Sequence, residues 1–161
     1  TVIASSKLQI IVDGSRYHFG ILNSTMHMSW VRAISGRLKS DYSYSPSVYN
    51  NFPWPRDPSE KHVKAIEAAA HAVLDARAKF PKSSLAELYD PLAMPPDLVR
   101  AHQALDRAVD AAYLEGAKRK CFASDAERVA FLFELYQQYT SLLPAERPTK
   151  LAKSRSKPAP M

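Results

Sequence analysis

The 161-residue chain contains few of the residues from which many catalytic and ligand-binding sites are built. A single cysteine, Cys121, excludes a disulfide within the chain and a cysteine-rich zinc site. Only four glycines occur and none are clustered, so there is no glycine-rich phosphate-binding loop. The five histidines do not fall into a metal-ligand pattern with cysteine or glutamate, which favours structural roles for them. The sequence therefore offers no recognisable catalytic motif.

Long apolar runs are also missing. No stretch approaches the ~18 apolar residues that a membrane-spanning helix requires, and no basic-then-apolar signal segment opens the chain. These features predict a cytoplasmic protein with no membrane partner. The chain starts at Thr1 in a strand-like run, which predicts a piece of a longer polypeptide.

The composition that remains is that of a folded, basic protein. Hydrophobic residues make up 46% of the chain and aromatic residues 10%, enough for a packed core. The formal charge of +6 and the pI near 9.5 favour nucleic acid or another acidic partner. Part of that charge lies in residues 144–161, which are rich in Pro, Ser and Ala and which we predict to form a flexible basic tail.

The first third of the chain predicts short strands around one long helix. Residues 7–13 alternate apolar and polar side chains, which predicts a strand. Residues 17–35 have the period of a helix that ends near Gly36, with one apolar stripe. The polar pair Asn23 and Ser24 leaves open a second interpretation, in which a cap divides the region into two shorter helices.

The segment that follows this helix is predicted to be extended. Residues 38–45 alternate in period two, which places Lys39 and Asp41 on the same side of one strand. Residues 47–52 are also predicted to be extended. Three prolines in residues 53–58 then interrupt any regular structure, and we place a domain boundary there.

After the prolines the pattern changes to that of helices. Asp57 and Pro58 predict the cap and first turn of a helix that runs to about residue 79. Further helices are predicted over about 97–114 and, after a capping box at Ser124 and Glu127, to about 143. The predicted fold class is α+β, mainly α: short strands and a long helix (residues 1–55), a small three-helix bundle that folds by itself (56–143) and the basic tail (144–161).

Four sequence blocks occur in an order typical of a known family: FGILNSTMHMSWVRAISGRLKSDYSYS, VYNNFPWP, AELYDPLAMPPDLVRAHQALDRAVDAAY and DAERVAFLFELYQQY. Over about residues 4–142 the chain resembles the C-terminal part of large adenine-specific DNA methyltransferases. These enzymes belong to single-polypeptide type II restriction-modification systems and are often fused to an endonuclease. The resemblance implies that residues 1–55 end a target recognition domain and that the rest forms a C-terminal helical domain.

The resemblance also implies where the chemistry is done. In such enzymes the S-adenosylmethionine loop and the catalytic motif lie upstream, so this chain should bind no cofactor and should not be catalytic alone. The parent would transfer a methyl group to the amine of a flipped adenine. The expected partners are double-stranded DNA and the upstream methyltransferase domain of the same polypeptide.

Four side chains are candidate DNA contacts. In the family that the chain resembles, the positions of Lys39 and Asp41 vary between Lys-x-Asp and Glu-x-Arg, which would suit readers of opposite base-pair orientations. We therefore expect Lys39 to donate to a guanine and Asp41 to accept from its paired cytosine. Arg32 and Arg37 lie close enough in sequence to hold phosphates. A solvated surface pair is the competing interpretation of Lys39 and Asp41.

Two other functional classes remain open at the level of sequence. One is a helical protein-interaction or structural module without DNA binding, in which the positive charge only aids solubility. The other is a separate enzyme of unknown chemistry, which the missing motifs disfavour. Duplex binding that weakens steeply with salt separates DNA recognition from the interaction module.

Overall fold

The computed structural model describes residues 9–39, 41–117 and 121–141. Within them the chain forms seven helices and two short strands. In chain order these are α1 (Arg16–Leu22), α2 (Thr25–Ile34), β1 (Gly36–Leu38), β2 (Asp41–Ser43), α3 (Pro46–Asn50), α4 (Glu60–Ala78), α5 (Leu85–Leu88), α6 (Pro96–Tyr113) and α7 (Asp125–Thr140). The predicted class, α+β and mainly α, is confirmed.

The long helix predicted over residues 17–35 is divided in two, as the second interpretation allowed. Ser24 is the N-cap of α2, and its Oγ accepts a hydrogen bond from the backbone N–H of His27 at 3.3 Å. The same hydroxyl donates to the carbonyl of Ile21 at 2.6 Å. A short hydroxyl side chain that bonds to the backbone on both sides stabilises the break between two helices.

Two predicted strands are absent from the described residues. Residues 9–13 form no strand, and the first two residues of that prediction lie outside the described part. Residues 47–52 mostly form helix α3, because Ser45 is extended at the N-cap and Pro46 occupies the first turn, where its missing N–H needs no partner. The predicted basic tail, 144–161, also lies outside the described residues.

The predicted start of α4 was misplaced by two residues. Ser59, not Asp57, is the N-cap, and the helix begins at Glu60. Asp57 has a φ of 45°, in the left-handed region, whereas an N-cap residue needs an extended backbone. At α7, Ser124 accepts from the backbone N–H of Glu127, which is one half of the predicted capping box, and Oε2 of Glu127 accepts from the backbone N–H of Ala123 at 2.6 Å.

The helices of the second half share one core with α1 and α2. Gly20 of α1 lies directly against α4, since a Cβ at this position would be 2.7 Å from Cγ2 of Ile66. Helix α7 packs on α2, where the indole of Trp30 contacts Phe133 and Tyr136 at 5.4 and 5.8 Å between ring centroids. The bundle is therefore completed by two helices from the first 55 residues. No helix among the described residues is long and apolar enough to cross a membrane.

Candidate nucleic-acid interface

Strands β1 and β2 form an antiparallel hairpin that follows directly after α2. Its register pairs Gly36 with Ser43, Arg37 with Tyr42 and Leu38 with Asp41. All of these side chains are exposed except that of Tyr42, which is half-buried. Because directly paired residues share a face, Arg37 and Tyr42 lie on one face and the other two pairs on the opposite face. The face that carries Leu38, Asp41 and Ser43 is therefore open to a partner, whereas Tyr42 on the other face packs against the core.

The side chain of Arg37 is held against its cross-strand neighbour. Its guanidinium carbon lies 4.7 Å from the ring centroid of Tyr42, and Nη2 donates to the Tyr42 hydroxyl at 2.9 Å. A cation over an aromatic face is attracted by the ring's negative electrostatic potential. Arg37 is thus fixed along the strand while its positive charge stays exposed.

The structure corrects the premise that placed Lys39 and Asp41 on one side of a single strand. The chain reverses between them, with Leu38 and Asp41 paired and Lys39 in the two-residue loop. Lys39 has a φ of 57°, a left-handed conformation that two-residue hairpin loops require. Both side chains are exposed at the same hairpin tip. Lys39 and Asp41 are therefore close to each other, although they do not lie on one side of a single strand. Their role in base reading stays a prediction.

The base of the hairpin is anchored by His27 of α2. Its Nε2 lies 3.0 Å from the hydroxyl of Tyr44, and its ring meets that of Phe52 edge-to-face at 4.6 Å. His27 is 3% exposed, and burial lowers its pKa to about 4. The structural role that the sequence predicted for this histidine is consistent with its position beneath the hairpin, where a neutral imidazole joins α2 to the segment after β2.

This burial predicts a pH-dependent loss of stability. In the unfolded chain His27 takes up a proton near its ordinary pKa of 6.5, whereas in the folded chain it does so only near 4. The unfolded state therefore binds more protons between these values, and the free energy of unfolding should fall by about 3 kcal/mol as pH drops from 6.5 to 4.

Chemical denaturation of the wild type and of His27→Gln across that pH range measures the effect. The variant should lack most of the drop, whereas His71→Gln, which alters a half-exposed histidine on α4, should retain it. Equal pH dependence in the wild type and His27→Gln would contradict the assignment.

Arg32 lies in the last turn of α2, just before the hairpin. Its Nη1 donates to Oδ2 of Asp125, the first residue of α7, at 2.7 Å. At the other end of α2 the carboxylate of Asp106 accepts from the backbone N–H and the hydroxyl of Thr25, at 2.7 and 2.8 Å. Sequence reasoning missed Asp106 and Asp125 because they lie about 80 to 90 residues from their partners and match no local pattern.

Metal-binding chemistry has no candidate in the described part of the chain, where no three histidine, cysteine or carboxylate side chains are grouped suitably. The hairpin instead presents two basic side chains, Arg37 and Lys39, and the exposed Asp41, and Arg32 at the end of α2 adds a third basic side chain. Basic side chains of this kind can donate hydrogen bonds to phosphate oxygens.

Both halves of the chain match models of known protein families. Residues 1–56 match the family model described as the MmeI target recognition domain, and residues 58–144 match the MmeI C-terminal domain. The chain belongs to the MmeI family. The resemblance to DNA methyltransferases of restriction-modification systems is thereby confirmed, and the hairpin lies in the part that matches the MmeI target recognition domain.

Two individual relatives of the MmeI family extend the comparison. DNA methyltransferase A of Bacillus subtilis (strain 168) is 45% identical over 139 residues, which are 86% of this chain and 15% of the relative. The type IIL restriction-modification enzyme MmeI, solved in complex with DNA, is 53% identical with a TM-score of 0.73. That match covers 81% of this chain and 17% of MmeI. The chain thus spans about a sixth of the length of these relatives.

Proposed function

We propose that this chain binds duplex DNA through hairpin β1–β2 and serves as the recognition part of a site-specific adenine DNA methyltransferase. The observation that carries the proposal is the match of residues 1–56 to a target recognition domain, in which this exposed basic hairpin lies. A two-stranded ribbon is narrow enough to enter the major groove, where base pairs present distinct donors and acceptors.

The tip of the hairpin would read one base pair. Lys39 would donate to the acceptors of a guanine, and Asp41 would accept from the amine of the cytosine paired with it. Their support is exposure and proximity: Lys39 lies in the loop and Asp41 in the first paired position. Arg37, fixed on Tyr42, and Arg32, at the end of α2, would hold phosphates and so set the register of the hairpin on the duplex.

The methyl transfer itself would belong to a longer polypeptide. In this proposal an upstream methyltransferase domain binds S-adenosylmethionine and modifies the target adenine, and an endonuclease is fused to it in some members. The chain described here would contribute recognition and support without binding the cofactor. The full target sequence would depend on further contacts beyond the hairpin tip.

Salt-dependent binding to a fluorescent duplex is the test of the proposal. Each phosphate that the protein neutralises contributes about −0.9 to the slope of log affinity against log salt concentration. Arg37→Ala should therefore weaken binding to all duplexes alike and reduce the slope by about 0.9. Arg100→Ala, which removes an exposed arginine from α6, is the matched control. Binding that does not respond to salt would favour the helical interaction module and overturn the proposal.

The base-reading assignment predicts an exchange of preference at one position of the target. In the intact enzyme, Lys39→Glu combined with Asp41→Arg should invert the preferred base there from G to C and leave the other positions unchanged. Each good contact should discriminate by about 1–3 kcal/mol. Methylation of a library of sites, with sequencing of the modified molecules, gives the answer. An unchanged preferred site would refute the assignment of these two residues.

A further inference from the structure

The guanidinium of Arg32 differs from that of Arg37 in having an acidic partner. Its Nη1 donates to Oδ2 of Asp125 at 2.7 Å, and both side chains are about half exposed. Arg37 contacts Tyr42, and among the described residues no carboxylate is paired with it. Exposed ion pairs contribute little to stability, but this one places a negative charge directly beside the positive charge of Arg32.

Asp125 has a second basic neighbour besides Arg32. Its Oδ1 lies 3.5 Å from Nη1 of Arg128, which is itself held by the buried carboxylate of Asp110. Arg128 donates to both oxygens of Asp110, at 2.7 and 3.2 Å. Asp125 also begins α7, where the positive end of the helix dipole favours a carboxylate. Within the described part of the chain, Asp125 is the one carboxylate paired with the long side chain of Arg32, so Arg32 is the member that can change partner.

These contacts bear on how the protein distinguishes its site from other DNA. Affinity for arbitrary duplexes comes from phosphate contacts, whereas specificity comes from base contacts. A phosphate that approaches Arg32 must displace Asp125 from it, and base contacts at the hairpin tip would offset that loss at the correct site alone. We propose that Asp125 is a positioning residue that neutralises Arg32 in the free protein. Arg32 would leave Asp125 for a DNA phosphate only when the hairpin is bound at its correct site.

This inference rests on the proposed DNA binding and adds a carboxylate that suppresses binding to unrelated sequences. The test compares Asp125→Asn with Asp97→Asn, a matched control. Asp97 is also an exposed aspartate between two basic side chains, Lys79 and Arg100, and it lies in the first turn of α6. Each variant removes one negative charge and keeps the shape of the side chain, so only the location differs.

Affinity for duplexes of unrelated sequence is measured by fluorescence anisotropy over a range of salt concentrations, with thermal unfolding as the check on folding. Asp125→Asn should bind more tightly than the wild type, with a slope steeper by about 0.9 because one more phosphate is neutralised. The ratio of its affinity to that of the wild type should increase about threefold as salt falls from ~200 to ~50 mM. Adding Arg32→Gln should abolish the gain, and Asp125→Glu, which keeps the charge, should restore the wild-type slope.

A merely structural role for Asp125 would weaken binding, not strengthen it, and would lower the melting temperature. Weaker binding by Asp125→Asn, or a slope equal to that of Asp97→Asn, would overturn this inference while leaving the proposed function intact. Absence of salt-dependent binding in every protein, the wild type included, would overturn both.

Discussion

A chain consisting of residues 57–143 alone is expected to lack a cooperative fold. The sequence predicts three helices that bury their stripes against each other, but the structure distributes that core over both halves. The buried face of α4 receives Gly20 of α1, whose absent side chain leaves room for Ile66 and for Leu105 of α6. Without α1 this apolar surface would be exposed to water, at a cost of about 25 cal/mol per Å².

Helix α7 would also lose its packing against α2 in the truncated chain. Its main neighbour is α2, and Trp30 supplies the aromatic surface on which Phe133 and Tyr136 pack. The hydroxyl of Tyr113 in α6 also donates to the carbonyl of Pro53 at 2.9 Å, which the truncation removes. Circular dichroism and thermal unfolding of residues 57–143 beside the full chain test the expectation. A sharp unfolding transition in the shorter chain would show that the second half is self-sufficient.

Trp30→Ala is expected to destabilise the full chain by about 3–5 kcal/mol, the cost typical of removing a large buried aromatic side chain. Trp30 is 2% exposed and contacts Phe52 as well as two rings of α7. Its Nε1 donates to the carbonyl of Val48 at 3.1 Å, so the substitution would also leave that carbonyl without its donor. The substitution should destabilise α2, α3 and α7 together, because this one side chain contacts both neighbouring helices.

Urea denaturation of Trp30→Ala, followed by circular dichroism, measures the change in the free energy of unfolding. Leu92→Ala is the control, because Leu92 is 99% exposed and should change stability by no more than about 0.5 kcal/mol. A loss below about 1 kcal/mol in Trp30→Ala would mean that the indole does not link the two halves as the structure indicates.

Local sequence patterns were enough to predict most helices of this protein. The apolar stripes that include Ile66, Leu105 and Leu132 predict α4, α6 and α7 because helical periodicity is a property of neighbouring residues, and all three side chains are fully buried. The division at Asn23 and Ser24 was also visible, since a capping hydroxyl acts on its own backbone. The errors at Asp57 and at residues 47–52 arose where short polar and proline-rich segments permit several backbone conformations.

The candidate interface was likewise predicted in part from the sequence, and the rest depended on the tertiary structure. The sequence by itself determined the family and located Lys39, Asp41, Arg32 and Arg37 near one another, because all four lie within ten residues. Only the tertiary structure decided that the chain turns between Lys39 and Asp41. It also decided that α1 and α2 complete the core of the helical half, and that Arg32 pairs with Asp125. Contacts between residues some 90 positions apart depend on how helices pack, and no local pattern specifies that packing.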